Sequence, residues 1–336
     1  MTISRREVLI GMAGLVGSSL RLLAEPRFSE CKSGSKDPFH IEGFNCSQVT
    51  AAGMTYRLYQ SQRSGPAVLL LHELPGLYKE DIELGRRIAQ CGFTVYIPLF
   101  FGKPNGRADG IEGGWKIFWY GLTETVLLGT PFPAFRSGHT SRVARWLNEL
   151  VPSIHQKCGG KGVGVIGMCL TGSLPLALTG SGDVRAVVLC QPSQPSIPHS
   201  GLDVSENDIK TVKDHKVDIL ALKFSSDHIS PNARWKTLKA KFSGENYLGN
   251  HYHELIIRSG DGSPYHAGAH SIFGEHFDDV KGDHPPTHEA LQRALGFLDN
   301  RISDTPHLPD YPDQQPCPPQ FLCYPESRNA APPSIP

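Results

Sequence analysis

Three side chains, far apart in sequence, have the types and order that nucleophilic acyl transfer requires. Cys169 sits in Val163-Gly164-Val165-Ile166-Gly167-Met168-Cys169-Leu170-Thr171-Gly172. That stretch reads as a strand, a tight turn with the cysteine at its apex, and a helix from about Ser173. Such a turn lifts a nucleophile above a sheet edge. Gly167 and Gly172 flank it where the backbones approach too closely for a Cβ. A thiol at the start of a helix also meets the positive end of the helix dipole, which favours the thiolate. The same cysteine could instead be a buried structural residue. Two further features favour chemistry. Asp227 follows the strand ending near Leu222, in Phe224-Ser225-Ser226-Asp227-His228, and His270 lies in Gly268-Ala269-His270-Ser271, ahead of the final helix. In these positions His270 would take the thiol proton, and Asp227 would fix the imidazole tautomer and stabilise its charged form.

A fourth group precedes them. Leu71-His72-Glu73-Leu74-Pro75-Gly76 follows the first buried strand. Its loop should supply the Leu74 backbone N–H which, with that of Leu170, would hold a developing oxyanion. Glu73 should lie close enough to Cys169 to accept the resting thiol's proton. The simpler alternative pairs Glu73 with Arg86 or Arg87 on the next helix.

Positioning these groups takes a sheet whose strands end on one side. Ala67–Leu71 is a continuous apolar run, as expected of a strand covered on both faces. Lys79–Cys91 has helical spacing, and Phe93–Ile97 reads as a strand stopped by Pro98. Ser137–Val151 reads as a helix. Gly162–Ile166, Val184–Leu189, Val217–Leu222 and His253–Ile257 read as strands. Helical patterns at Leu174–Leu178, Trp235–Phe242 and Thr287–Asn300 separate or follow them. This alternation predicts an α/β fold, a mostly parallel sheet with helices on both faces, in one domain over residues 45–302. Between Pro98 and Ser137 the chain has no clear period but carries Trp115, Phe118, Trp119, Tyr120, Phe132 and Phe135. A connection this long predicts a cap over the site at about 103–135, with Trp115, Trp119 and Tyr120 against substrate.

Both ends stand apart. Within residues 1–44, Ser4-Arg5-Arg6-Glu7-Val8-Leu9 resembles a twin-arginine export signal, although Arg21 interrupts its apolar stretch early. Export would be to the periplasm; without it the protein would be cytoplasmic. In an oxidising compartment Cys31 and Cys46 would be free to pair. Residues 303–336 contain ten prolines, which excludes regular helix or sheet and predicts an extended tail. A local disulfide between Cys317 and Cys323 is left open.

Composition narrows the function classes. The 33 Lys+Arg balance 33 Asp+Glu, so the chain lacks the basic surplus of a nucleic-acid binder. No apolar run is long enough to span a bilayer. Fifteen histidines raise the question of a metal, but His251 and His253, or His266 and His270, form no H-E-x-x-H motif, and there is no paired C-x-x-C. The expectation is therefore no metal and no cofactor, a small-molecule partner, and a monomer or small homo-oligomer.

The motifs together resemble the dienelactone hydrolase family of cysteine-nucleophile α/β-hydrolases. The resemblance rests on His72-Glu73-Leu74-Pro75-Gly76-Leu77, Tyr96-Ile97-Pro98-Leu99-Phe100-Phe101-Gly102, Gly167-Met168-Cys169-Leu170, Ser226-Asp227 and Gly268-Ala269-His270-Ser271, and spans roughly residues 65–300. It implies the α/β-hydrolase fold and the chain order nucleophile, acid, base as Cys169, Asp227, His270. It also implies metal-free cleavage of ester or lactone bonds in small molecules, with Glu73 helping to switch thiol to thiolate. The chain departs from the family pattern at Thr171, where a second glycine is usual. It departs again at Gly274, where a carboxylate-gripping arginine is usual, and in the longer aromatic loop from Gly102 to Phe135. Two other readings keep the fold but not the reaction: a binding protein without turnover, and a thiol redox sensor built on Cys169.

Overall fold

The computed structural model describes residues 25–31, 38–74, 76–101, 104, 135–136, 138–193, 196–242, 251–280 and 285–310. The export motif, the cap with Trp115, Trp119 and Tyr120, and Cys317 and Cys323 lie outside the described residues.

A nine-stranded sheet forms the centre. Its strands are β1 (Arg27–Glu30), β2 (Phe44–Ala51), β3 (Met54–Ser61), β4 (Ala67–Leu71), β5 (Thr94–Leu99), β7 (Val163–Met168), β8 (Val184–Cys190), β10 (Asp218–Phe224) and β11 (Tyr252–Ile257). Two further strands, β6 (Phe135–Arg136) and β9 (Ser196–Ile197), pair by themselves. The order across the large sheet is β1-β2-β3-β5-β4-β7-β8-β10-β11. Every pairing from β5 to β11 is parallel, and β1, β2 and β3 add an antiparallel flank. The parallel strands β4, β5 and β7 are buried along their whole length, as strands covered on both faces must be.

Helices α1 (Lys79–Gln90) and α5 (Pro286–Ile302) pack on one face, with Ile82, Ile88, Leu291 and Leu298 meeting Val68, Leu70, Ile166 and Val188. On the other face α2 (Arg142–Cys158), α3 (Glu206–Asp214) and α4 (Asn232–Phe242) place Trp146, Leu147, Ile209, Val212 and Leu238 against Leu69, Val165 and Ile219. The expected architecture is therefore present, and several details differ from expectation.

Pro98 lies inside β5 rather than ending it. β4 pairs only with Thr94–Tyr96, so the missing proline N–H falls where the parallel ladder has already stopped. Helix α2 starts at Arg142 instead of Ser137 because Ser141 caps it, accepting from the Ala144 amide at 3.0 Å. The flank β1–β3 and helix α3 were missing from the sequence reading. After the turn at Cys169 there is no α-helix, only two short 3₁₀ turns, Cys169–Thr171 and Leu174–Ala177. Pro175 and the glycines at 180 and 182 leave no room for a longer run. The dipole that was to favour a thiolate therefore shrinks to a single turn.

The described segments at either side of the domain are also tied in. Cys31 and Cys46 form a disulfide, joining the residue after β1 to the middle of β2, and Cys91 at the end of α1 is also disulfide-bonded. Beyond α5, residues 303–310 carry no helix or strand. They fold back through the buried Asp299, whose Oδ2 accepts from the His307 and Leu308 amides at 2.6 and 2.8 Å. No described helix is long and apolar enough to cross a membrane.

Candidate active site

The site gathers where β4, β7, β8 and β10 end. β7 delivers Cys169, which has φ +51°, a left-handed conformation that costs a side chain strain and that the surroundings must hold. They hold it tightly. A Cβ at Gly167 would meet the Thr171 carbonyl oxygen at 2.4 Å, and one at Gly172 would meet the Pro192 Cα at 2.6 Å. Only glycine fits at either place, as the sequence implied.

Thr171, the apparent departure from the family pattern, is part of this brace. Its fully buried hydroxyl accepts from the Met168 amide at 3.0 Å and faces the Leu71 carbonyl at 2.9 Å and the Met168 carbonyl at 3.0 Å. One side chain thus bonds the turn to the end of β4, the strand that leads to Glu73 and Leu74. Replacing it with Val keeps the shape and leaves the Met168 amide buried without this acceptor. Thr171→Val is expected to lose about 1–3 kcal/mol of stability in denaturant titration and to slow turnover as the turn loosens.

β10 delivers Asp227, 1% exposed, and the loop after β11 delivers His270. His270 Nδ1 lies 2.7 Å from Asp227 Oδ2, while Asp227 Oδ1 accepts the Ile229 and Ser230 amides at 2.9 and 3.0 Å. With Nδ1 held this way, Nε2 faces the thiol. Burial alone would lower the His270 pKa, but Cys169 and the Asp227 hydrogen bond outweigh it and hold the imidazole well above its ordinary value. This arrangement stabilises the imidazolium that forms when His270 takes a proton, and it does not depend on a helix dipole.

Glu73 turns toward this pair and away from Arg86 and Arg87, which pair with Glu83 and Asp278. Its carboxylate accepts from the Ser271 hydroxyl and from Gln191 Nε2, the latter at 3.3 Å. Burial raises its pKa, with the His270 charge opposing. Gly274, at the family's arginine position, makes room for this carboxylate. A Cβ there would meet Glu73 Oε1 at 2.5 Å and Ser271 Oγ at 2.4 Å.

One ligand-type atom each from Glu73, Cys169 and His270 lies within 4.8 Å of the other two, the set among the described residues that could hold a metal ion. Two of the other histidines go elsewhere: His251 Nδ1 pairs with Asp218 Oδ1 at 2.6 Å, and His253 packs on Phe297.

Sequence reasoning missed four supports. His72 is fully buried and neutral, its pKa lowered to about 4 by burial. Its Nε2 accepts from the Phe100 amide at 3.1 Å and its Nδ1 lies 3.0 Å from the Glu73 carbonyl, so it pins the loop carrying Glu73 and Leu74 to the end of β5. Gln191 and Ser193, both after β8, reach Glu73 and Cys169. Arg234, 1% exposed, lies behind them and bonds the Pro192 and Gly201 carbonyls. Only His72 carried a sequence signal, through its place in the His-Glu motif. Leu170 lies in the 3₁₀ turn directly after Cys169, and Leu74 in the turn after Glu73.

Comparison with known proteins agrees in part. The model of the dienelactone hydrolase family matches residues 54–254, more than half of the chain. No curated protein matches. Among solved structures, a cold-adapted esterase from an Arctic intertidal metagenomic library aligns at 12% identity and TM-score 0.49, over 82% of this chain and 100% of its own. A dienelactone hydrolase from Anabaena variabilis aligns at 12% identity and TM-score 0.46, over 77% and 98%.

Proposed function

Because the chain belongs to the dienelactone hydrolase family, we propose that it cleaves an ester or lactone bond of a small molecule through a thioester on Cys169. The supporting observation is the strained Cys169 at the apex of its turn, beside an imidazole whose other nitrogen is held by Asp227. The Cys169 thiolate attacks the carbonyl, and the Leu74 and Leu170 amides receive the oxyanion. His270 protonates the departing alkoxide and then takes a proton from the water that hydrolyses the thioester. Trp115, Trp119 and Tyr120 remain the proposed substrate contacts. The test is single-turnover hydrolysis of a short-chain aryl ester with mass spectrometry. A burst of alcohol with an acyl mass on Cys169 is expected. No burst and no adduct in folded protein would favour the binding-protein or redox-sensor reading.

Glu73 is proposed to accept a hydrogen bond from the resting Cys169 thiol, whose proton stays on sulfur until it passes to the imidazole, since a carboxylate whose pKa is raised by burial is a stronger acceptor. Its linkage to stability has a defined sign. A carboxyl with a raised folded pKa stabilises the fold below its unfolded pKa, and that contribution is lost as pH rises through the folded value. Wild type is therefore expected to lose stability relative to Glu73→Gln as pH climbs above the ordinary carboxylate range. Melting curves of both proteins across pH check this, and a pH-independent difference would contradict it. The Gln variant should also turn over more slowly.

Two disulfide-bonded sites, Cys31–Cys46 and Cys91, suit an oxidising compartment. Together with Arg5-Arg6 they support export as the proposed location.

A further inference from the structure

Ser193 lies beside both of the groups that must exchange a proton. Its Oγ donates to Cys169 Sγ at 3.0 Å, the arrangement that follows proton transfer, and lies 3.4 Å from His270 Nε2. Its position is built from several sides. The Ser193 amide donates to the Cys169 carbonyl at 3.0 Å. The Pro192 carbonyl just before it accepts from Ser230 Oγ and from Arg234 Nη1, each at 2.9 Å. Ser230 in turn takes a bond from Trp235 Nε1 at 3.0 Å, and its amide donates to Asp227 Oδ1 at 3.0 Å. The bonds close a ring that runs from Asp227 through Ser230, Pro192 and Ser193 to His270 and back to Asp227.

We propose that Ser193 is a catalytic residue that carries the proton between Cys169 and His270, a role that rests on Cys169 being the nucleophile. A hydroxyl donates and accepts at once, so it can do this without becoming charged. The Cys169 S–H bond breaks and its proton joins Ser193 Oγ, while the original Ser193 proton passes to His270 Nε2. The products are thiolate, imidazolium and an unchanged hydroxyl. That hydroxyl then turns its proton to the thiolate sulfur and stabilises the pair. Arg234 is a positioning residue, holding the Pro192 carbonyl so that the hydroxyl stays in reach.

The experiment uses the full chain as wild type, Ser193→Ala, Ser193→Thr and Cys169→Ala. Its readouts are aryl-ester kcat/KM in H2O–D2O mixtures and the pH dependence of Cys169 alkylation by iodoacetamide. Wild type is expected to show two protons in flight. Ser193→Ala is expected to show one, with kcat/KM about 10- to 100-fold lower, the scale of one hydrogen bond to a charged group, and an alkylation profile displaced to higher pH. Ser193→Thr, which restores the hydroxyl, should recover most of both. A single proton in wild type overturns the proposal whatever the variants do. So does Ser193→Ala with an unchanged alkylation profile, whether its activity is kept or lost, because loss alone would mark a structural role. Failure of the underlying reading looks different: Cys169→Ala would then be as active as wild type.

Discussion

Cys169→Ala is expected to lower kcat/KM for an aryl ester by at least about 10,000-fold, the scale seen when a covalent nucleophile is removed. What remains would come from the oxyanion donors and from binding. The variant should stay folded, within about 1 kcal/mol of wild type, because alanine meets the same strain at φ +51° that cysteine does. Cys169→Gly, which adopts that angle freely, should be at least as stable as the alanine variant. Calorimetry beside single-turnover kinetics checks both halves. Activity retained in Cys169→Ala would end the acyl-enzyme mechanism, and a collapse in stability would give the cysteine a structural role.

Asp227→Asn should come next in size. The carboxylate does two things that an amide cannot do together. One oxygen fixes the His270 Nδ1 proton at 2.7 Å, and its charge helps to hold the imidazolium above its ordinary range. An asparagine that turns its NH2 toward Nδ1 forces the ring proton onto Nε2, where it cannot accept from the thiol side. Turnover should fall by roughly 100- to 10,000-fold, as expected for a triad acid replaced by its amide. Because the imidazolium would be less supported, the fraction of reactive thiolate at neutral pH should fall with it. Iodoacetamide alkylation beside kcat separates the two effects. A variant with normal turnover would mean that Asp227 serves only the Ile229 and Ser230 amides.

The residues proposed to react were legible because a tight turn and strand ends leave a local pattern. Gly167 and Gly172 marked a turn too tight for a Cβ. Asp227 and His270 followed apolar strands in the order the fold demands. Ser193 and Gln191 carried no such mark. They lie in a short Pro-Ser segment after β8, and their meaning arises only when β7 and β8 place them beside Cys169 and Glu73. Thr171 was visible but read as a departure, since its role depends on a carbonyl a hundred residues away. The antiparallel flank was missed because half-exposed strands such as Phe44–Ala51 carry only a broken alternation. Helix α3 buries only Ile209 and Val212, too few for a period, although its Ser205–Asp208 capping box was there to be read.

The bridge between Cys31 and Cys46 also bears on how the protein must be made. β1 is a four-residue strand with every residue exposed, and it forms the outer edge of the sheet. So short a strand has little packing to hold it, and the disulfide secures its end to β2. In a reducing host β1 can peel away, leaving the backbone donors and acceptors of β2 bare to a second chain. The end of the sheet that carries Cys169 would be untouched, and molecules would still stick to one another along that seam. Solubility and activity would then part company, with solubility alone set by the redox state in which the chain was produced.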